Sequence, residues 1–216
     1  MIELKKGDKP QILTDNATDW TTELLGFIQR GEKAPASVSN RYNHTDIKES
    51  LRSEAKHKCM YCESKVSHVS YEHIEHIKPK AKYPELTFEW QNLGLACPVC
   101  NMNKSDEYDP NLRFLNPFED KPSDYLFATG PYVFGKPGKD RGKLTEKIIK
   151  LNRIDLVEQR LERIEAIRQL MESYEKEQNP TLKKAIYKEL VVELDEDKAY
   201  SFVLNAMVNI VGVSAA

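Results

Sequence analysis

All four cysteines of the chain occur in two C-x2-C pairs, Cys59 with Cys62 and Cys97 with Cys100, separated by 34 residues. Each pair lets two sulfur atoms reach one metal ion, and two pairs supply the four thiolates of a closed tetrahedral zinc site. Such a site has no open position for water, so its role would be structural. The alternatives are cysteines buried as small apolar residues and a redox-active pair, and the double spacing favours zinc.

A second group of polar residues is interleaved with the cysteines. It consists of Glu75 and His76 before Ile77-Lys78-Pro79, then Asn92, then Asn101 directly after Cys100. A histidine at a strand end can take a proton from water, and the oxygens of Glu75 and Asn101 suit Mg²⁺ or Mn²⁺. Asn92 fits as an orienting residue that bonds backbone or the imidazole. The combination predicts hydrolysis of a phosphodiester bond.

Some neighbouring residues offer alternatives for these roles. His73 also follows a glutamate and is a rival for the base, although no apolar-x-Pro follows it. Asn103 is a rival to Asn101 as a ligand. Lysine ammonium groups beside such a site favour binding of a polyanion. The lysines expected to contact phosphate are Lys78, Lys80, Lys82 and Lys104, and the histidines expected to do no chemistry are His44, His57 and His68.

The elements that must position these residues follow from hydrophobic periodicity and turn residues. A helical period leads to the first cysteine pair, and alternating patterns predict two strands followed by a helix that begins at a proline. The predicted ranges are an extended arm over 1–16, helices over 19–29 and 46–56 (the latter capped by Thr45), a loop over 31–43, strands over 69–77 and 88–96, a helix over 98–105, a hairpin of 125–129 with 132–134, and helices from 143 onward with breaks near 179–180 and 195–197.

Composition limits the class of protein. A hydrophobic share of 40% in 216 residues is sufficient for a core, and a net charge of −2 argues against nucleic-acid binding through overall positive charge. The stretch 130–153 nevertheless carries seven basic residues against two acidic ones. We find no apolar run long enough for a membrane span and no apolar segment within the first 25 residues. We therefore expect a cytoplasmic protein, in which C-x2-C pairs bind metal rather than form disulfides.

The motifs resemble those of the HNH endonucleases. That family's pattern is an acidic residue, His, an apolar residue, any residue and Pro, then Asn-Leu five residues before a cysteine, then C-x2-C-N-x2-K. Here the matching segments are 75–79, 92–97 and 97–104. The resemblance implies a ββα-metal fold with His76 as general base, Asn92 as the central structural asparagine, and Glu75 with Asn101 as ligands of a catalytic Mg²⁺ or Mn²⁺. Many members have aspartate at the position of Glu75.

Beyond the motif core at about 57–106, the whole chain is similar to the HNH subunit of Septu and retron-associated antiphage systems, the PtuB-like group. The late segment 151–157 contributes to this similarity. The resemblance implies an antiviral nuclease that works with an ABC- or SMC-like ATPase subunit (PtuA-like), and a homodimer is a further possibility. The segment 199–213 is apolar enough to need cover, so we expect the C-terminal helices to dock the partner.

These observations predict a mostly helical α+β fold, with a ββα-metal core, a four-cysteine zinc site and helical extensions. The expected divisions are an arm and helix over 1–43, the nuclease core with zinc over 44–120, a hairpin and basic segment over 121–142, and a helical region over 143–216. DNA and RNA both remain possible substrates, because no base-reading motif is present. The rival function is a zinc-stabilised module that binds nucleic acid or protein without catalysis. His76, Asn92 and Asn101 at this spacing favour the nuclease.

Overall fold

Helices dominate the computed structural model, which describes residues 1–66 and 72–211, except for the side chains of 209–211. The fold is α+β with two small antiparallel sheets, as predicted. Within the described ranges, no helix has both the length and the apolar character needed to cross a bilayer. The elements are α1 Gln11–Gln29, α2 Ala36–Ser39, α3 Thr45–Glu54, β1 His73–His76, β2 Leu93–Ala96, α4 Pro98–Lys104, β3 Leu126–Thr129, β4 Tyr132–Gly135, α5 Asp140–Ile149, α6 Ile154–Lys176, α7 Pro180–Glu193 and α8 Ser201–Val211, with 3-10 turns at Arg41–Asn43, Pro84–Leu86, Trp90–Asn92 and Pro122–Asp124.

The strands β1 and β2 and the helix α4 form the unit that carries the sequence motifs. β1 pairs antiparallel with β2, and Glu75 lies opposite Gly94. The first cysteine pair joins this sheet because the Met60 amide donates to the Leu95 carbonyl at 2.9 Å. The sulfur of Met60 occupies the space beside Gly94, where an added Cβ would lie only 2.4 Å from it. Glycine at this position therefore leaves room for the Met60 side chain beside β2.

Several predicted boundaries near this unit are wrong. The arm ends at residue 10 rather than at 16, because α1 begins at Gln11. The cap of α3 is His44, whose Nδ1 accepts a hydrogen bond from the Asp46 amide at 3.3 Å, and Thr45 is already helical. The predicted strand over 88–96 is a strand only from Leu93, because the chain first makes a 3-10 turn that brings Asn92 to the end of β1. The predicted strand over 69–77 is observed at 73–76, and its positions 69–71 lie outside the described residues.

The predicted hairpin and the later helices are confirmed. β3 and β4 pair around Gly130, whose φ of +51° suits glycine, and Leu126 and Val133 point into the core. α7 begins at Pro180 after the expected break, and the Asn179 side chain accepts from two of its first amides. The basic stretch noted in the sequence therefore spans the turn of the hairpin and α5.

The expectation that 199–213 forms an uncovered apolar segment is wrong for the residues that the structure describes. Val203, Leu204 and Val208 are buried, the last two in a cluster with residues of α6 and α7. Ser201 Oγ donates to Glu63 at 2.9 Å, which fixes the start of α8 beside the first cysteine pair. The exposed apolar side chains of the C-terminal helices are instead Ile154, Leu161, Leu182, Val191 and Val192. The side chains of Ile210 and beyond are outside the described set.

Candidate metal and hydrolytic site

The four cysteine sulfur atoms lie within 4.8 Å of one another, and all four residues are buried. A zinc ion with four sulfur ligands at about 2.3 Å holds those ligands about 3.8 Å apart. The distance between Cys62 Sγ and Cys97 Sγ is 3.8 Å. Across the described ranges, this is the one group of three or more His, Cys, Asp or Glu side chains close enough to share an ion. The cluster fits a structural zinc ion.

Two polar side chains lie against this cluster. Arg153, just before α6, places Nη1 3.6 Å from Cys100 Sγ and Nη2 4.0 Å from Cys97 Sγ. Ser64 Oγ lies 3.2 Å from Cys62 Sγ. With zinc bound the sulfur atoms are thiolates, so both groups can donate hydrogen bonds to them. The cluster therefore connects the sheet and α4 to the start of the C-terminal helices.

The side chains of β1 alternate between two faces, which divides the motif residues. His73 and Glu75 lie on the face toward α4, whereas Ile74 and His76 lie on the opposite face. The contacts agree with this division, because His73 and Glu75 bond to residues of α4 while His76 bonds to Thr87. The structure brings Glu75 together with α4 but turns the neighbouring imidazole away from it.

Glu75 forms an enclosed ion pair with Lys104. Their side chains are 2% and 1% exposed, and Lys104 Nζ lies 2.6 Å from Glu75 Oε1. Lys104 also donates to the His76 carbonyl at 3.0 Å, and the Tyr61 hydroxyl lies 3.4 Å from the same carboxylate oxygen. Burial raises the pKa of Glu75, and this effect outweighs the opposing effect of Lys104. The charge of the Glu75 carboxylate is therefore balanced by the Lys104 ammonium group.

His73 and Asn101 form a second pair on the same face, and this pair is half-buried. Asn101 Nδ2 lies 3.1 Å from His73 Nδ1. Asn101 precedes Lys104 by three residues, so both project from the same side of α4. Asn103 projects elsewhere and donates to the Ile149 carbonyl of α5 at 3.1 Å. Of the two asparagines considered from the sequence, Asn101 is the one that faces β1.

His76 is held in one tautomer. Its Nε2 lies 3.0 Å from the Thr87 carbonyl oxygen, which can only accept, so Nε2 carries the hydrogen and Nδ1 keeps a lone pair. The residue is 7% exposed, and the Tyr42 ring packs edge-on against it with a centroid distance of 4.7 Å. Burial lowers the pKa of His76 to about 4, against the opposing effect of the bond to Thr87. His76 is therefore neutral at pH 7, with Nδ1 available as a base.

Asn92 connects the end of β1 to the segment before β2. Its Oδ1 accepts from the Lys78 amide at 2.7 Å, and its Nδ2 donates to the carbonyls of Lys78 and Leu86 at 3.0 and 3.1 Å. All these partners are backbone groups and none is the imidazole. Asn92 thus fixes the course of the chain immediately after His76, and with it the position of the imidazole.

The four lysines differ in their surroundings. Lys82 is exposed, and Lys78 is half-buried with its ammonium 5.8 Å from the centre of the Tyr83 ring. Lys80 is also half-buried and donates to the Tyr42 hydroxyl at 2.6 Å. Lys104, in contrast, is enclosed with Glu75. The first three are therefore at least partly exposed to solvent.

Three contacts of this site left no clear signal in the sequence. His76 Nε2 donates its hydrogen bond to a backbone carbonyl, an acceptor that no residue type reveals. Tyr42 and Arg153 approach from distant parts of the chain and stand in no motif. The pairing of His73 with Asn101 had a signal, because the two-residue period of a strand places His73 on the same face as Glu75.

Comparison with known proteins agrees with the motifs. The sequence model of the HNH endonuclease family matches residues 59–107. The chain is 31% identical over 182 residues to the Septu protein PtuB of Bacillus thuringiensis, covering 81% of this chain and 66% of that protein. It is 28% identical over 198 residues to the Septu protein PtuB of Bacillus mycoides (strain KBAB4), covering 74% of this chain and 66% of that protein. The chain thus spans just under two thirds of the length of these relatives.

Proposed function

We propose that this chain, whose residues 59–107 match the HNH endonuclease family model, hydrolyses phosphodiester bonds of DNA or RNA with a divalent cation, as the nuclease of a Septu-type antiviral system. The observation that carries the proposal is the state of His76. Its Nε2–H is bonded to the Thr87 carbonyl and its pKa is about 4, so we assign to the unprotonated Nδ1 the role of accepting a proton from water at neutral pH.

The other residues take supporting roles. Asn92 is a positioning residue that holds the backbone after His76. Asn101 would hold the catalytic Mg²⁺ or Mn²⁺, and Glu75 stands at the position where the family motif implies a second ligand. When bound, this cation neutralises charge on the scissile phosphate and the leaving oxygen. Lys78, Lys80 and Lys82 bind the phosphates of the substrate.

Zinc in the four-cysteine cluster has a structural role in this proposal. It holds the first cysteine turn, β2 and α4 in one arrangement and therefore fixes the helix that presents Asn101. Four reduced thiols are expected where the surroundings keep cysteine reduced, so we place the protein in the cytoplasm.

A partner is part of the proposal. The similarity to the Septu protein PtuB supports a partner that is an ABC- or SMC-like ATPase subunit of the PtuA-like kind. The net charge of −2 is a second argument for a partner, because it favours a second protein that contributes to the binding of nucleic acid. Co-purification of the tagged chain, followed by mass determination of the complex in solution, tests this. An ATPase in the complex supports it, and a chain that purifies only with a second copy of itself supports the homodimer instead.

The test of the activity is the substitution His76→Gln in the full-length, zinc-loaded protein. Glutamine keeps a donor for the Thr87 carbonyl but offers no basic nitrogen, whereas alanine would also remove packing at this buried position. We expect cleavage to fall by about 10² to 10⁴-fold while zinc content stays unchanged. The matched control is His57→Asn. His57 is exposed and has a φ of +57°, which asparagine tolerates, so this variant should cleave like the wild type.

The substrates for this test are single- and double-stranded DNA and RNA, each with Mg²⁺ and with Mn²⁺, in the presence and absence of the ATPase subunit. If the wild type binds nucleic acid but cuts none of these substrates under any of these conditions, the chain is a zinc-stabilised binding module instead. If His76→Gln cuts like the wild type while His73→Leu does not, and excess Mn²⁺ fails to restore His73→Leu, the base is His73.

A further inference from the structure

We propose that His73 is a ligand of the catalytic cation together with Asn101, and that Glu75 stays outside the coordination sphere. This inference rests on the proposed nuclease function and identifies a metal-binding residue that lies outside the acidic-His-apolar-x-Pro motif. It assigns to Glu75 the separate task of holding Lys104, and through Lys104 the carbonyl of His76.

The first argument is the spacing of the donor atoms. His73 Nδ1 and the facing amide atom of Asn101 are 3.1 Å apart. Two ligands bound at neighbouring positions of an octahedral ion, each at about 2.1 to 2.2 Å, are about 3 Å apart. A half-turn of the Asn101 side-chain amide replaces Nδ2 by Oδ1 at this position without any movement of the backbone. The pair therefore has the separation that one cation requires.

The second argument is access. A catalytic cation must keep coordination positions open to water and to a phosphate oxygen. His73 and Asn101 are both half-buried, so an ion between them still faces solvent. Glu75, at 2% exposure, is enclosed by Lys104 and Tyr61 and offers no such opening.

The third argument is charge. Lys104 is almost fully buried, and its ammonium lies 2.6 Å from the Glu75 carboxylate. If Glu75 turned to bind the cation, this ammonium would lose its counter-charge inside the protein and would also face the new positive charge. Both effects oppose that rearrangement. An ion bound by the neutral pair of His73 and Asn101 leaves the Glu75–Lys104 pair undisturbed.

The ligand set has a consequence for metal preference. An imidazole nitrogen with an amide oxygen suits Mn²⁺, Co²⁺ and Ni²⁺ better than Mg²⁺, which prefers oxygen ligands alone. We therefore expect Ni²⁺ to bind more tightly than Mn²⁺, and Mg²⁺ to compete poorly with Mn²⁺ for the site.

The experiment is Mn²⁺ binding to the full-length, zinc-loaded protein, followed by electron paramagnetic resonance. His73→Leu and Asn101→Ala should each raise the Kd for Mn²⁺ by at least about tenfold, whereas Glu75→Gln should change it by less than about threefold. Pulsed measurements should detect coupling of the Mn²⁺ electron spins to an imidazole nitrogen. This coupling should persist in His76→Gln and vanish in His73→Leu. Zinc content and melting temperature identify any variant that has not folded.

The inference is overturned if the wild-type complex shows no nitrogen coupling, or if Glu75→Gln weakens Mn²⁺ binding tenfold while His73→Leu does not. Should Glu75→Gln fail to fold, the nitrogen coupling of the wild type compared with His73→Leu still decides the matter. The proposed function fails separately. A wild type that binds Mn²⁺ through His73 but cuts nothing refutes the nuclease and leaves this site, whereas cleavage with the same Mn²⁺ dependence in His73→Leu refutes this site and leaves the nuclease.

Discussion

The four-cysteine cluster and the α4-facing side of β1 lie in the same short segment, 59–107, yet they are built in opposite ways. The cluster has four equivalent sulfur donors, all buried and all within 4.8 Å of one another. The β1 side has unlike donors, one pair enclosed and the other half-exposed. A closed set of ligands stabilises a fold, whereas chemistry requires a cation with positions left open to solvent.

The two regions share the helix α4. Its N-cap Cys97 and its first-turn residue Cys100 contribute to the cluster, and the residues that follow, Asn101 and Lys104, face β1. Substitutions that disrupt the cluster should therefore also disturb the β1 side, because α4 is then no longer held in position at its first turn. Substitutions on the β1 side should leave the cluster intact. The following predictions test this asymmetry.

The largest effect is expected from Cys97→Ser. Removing one of four thiolates should release the zinc ion, and structural zinc contributes on the order of 10 kcal/mol of apparent binding free energy in small zinc domains. Elemental analysis should find about one zinc per wild-type chain and far less in the variant, and the thermal unfolding transition should be lost. Met102→Ala, an exposed change on the same helix, is the control and should keep both. A zinc-free protein with wild-type melting would contradict the structural role of the cluster.

A smaller effect is expected from Lys104→Met, which breaks the enclosed pair on the other side of α4. The Glu75 carboxylate would remain buried without its counter-charge, and the loss of one partner of a buried pair costs about 3 to 5 kcal/mol. Zinc content should stay at the wild-type level. Chemical denaturation of the zinc-loaded protein measures the change in the free energy of unfolding.

The matched control is Lys143→Met, which breaks the exposed pair with Asp140. Such surface pairs contribute about 0 to 1 kcal/mol. The double variant Glu75→Gln with Lys104→Met should recover part of the loss, since no unpaired charge remains. Equal costs for Lys104→Met and Lys143→Met would mean that the enclosed pair is not the feature that stabilises this side.

The contrast between the regions also explains what the sequence could predict. The cysteine cluster and the start of α4 follow from short-range spacing, because two sulfur atoms three residues apart and a proline at a helix start are local features. The partner of Glu75 was not predictable in this way. Lys104 is one of the lysines expected from the sequence to contact phosphate, and only the packing of α4 on β1 shows that it is buried. The Thr87 carbonyl that orients His76 directly follows the 3-10 turn Pro84–Leu86, which was not predicted from the sequence.

The smallest effect is expected in the pH dependence of stability, and it distinguishes the buried imidazole of His76 from the four-cysteine cluster. The pKa of His76 is about 4 in the folded protein, below the ordinary value of 6.5, because burial disfavours its charged form. Between these two values the unfolded chain binds a proton that the folded chain does not, so the stability of the wild type falls as pH decreases from 6.5 toward 4. Above pH 6.5 the imidazole is neutral in both states and contributes no pH dependence. His76→Gln has no proton to bind and should lack this component.

The measurement is the difference in unfolding free energy between the wild type and His76→Gln at pH 7 and at pH 5, with zinc content determined at both. Relative to the variant, the wild type should lose about 2 kcal/mol over this interval. Because both proteins contain the same cysteine cluster, any release of zinc at low pH cancels in the difference. A nuclear magnetic resonance titration of the His76 ring checks the cause directly, since its midpoint should lie far below 6.5. Two results would show that His76 is solvated: a difference in unfolding free energy that stays constant from pH 7 to pH 5, or a ring that titrates at its ordinary pKa. The tautomer fixed by Thr87 would then no longer explain how Nδ1 acts as a base.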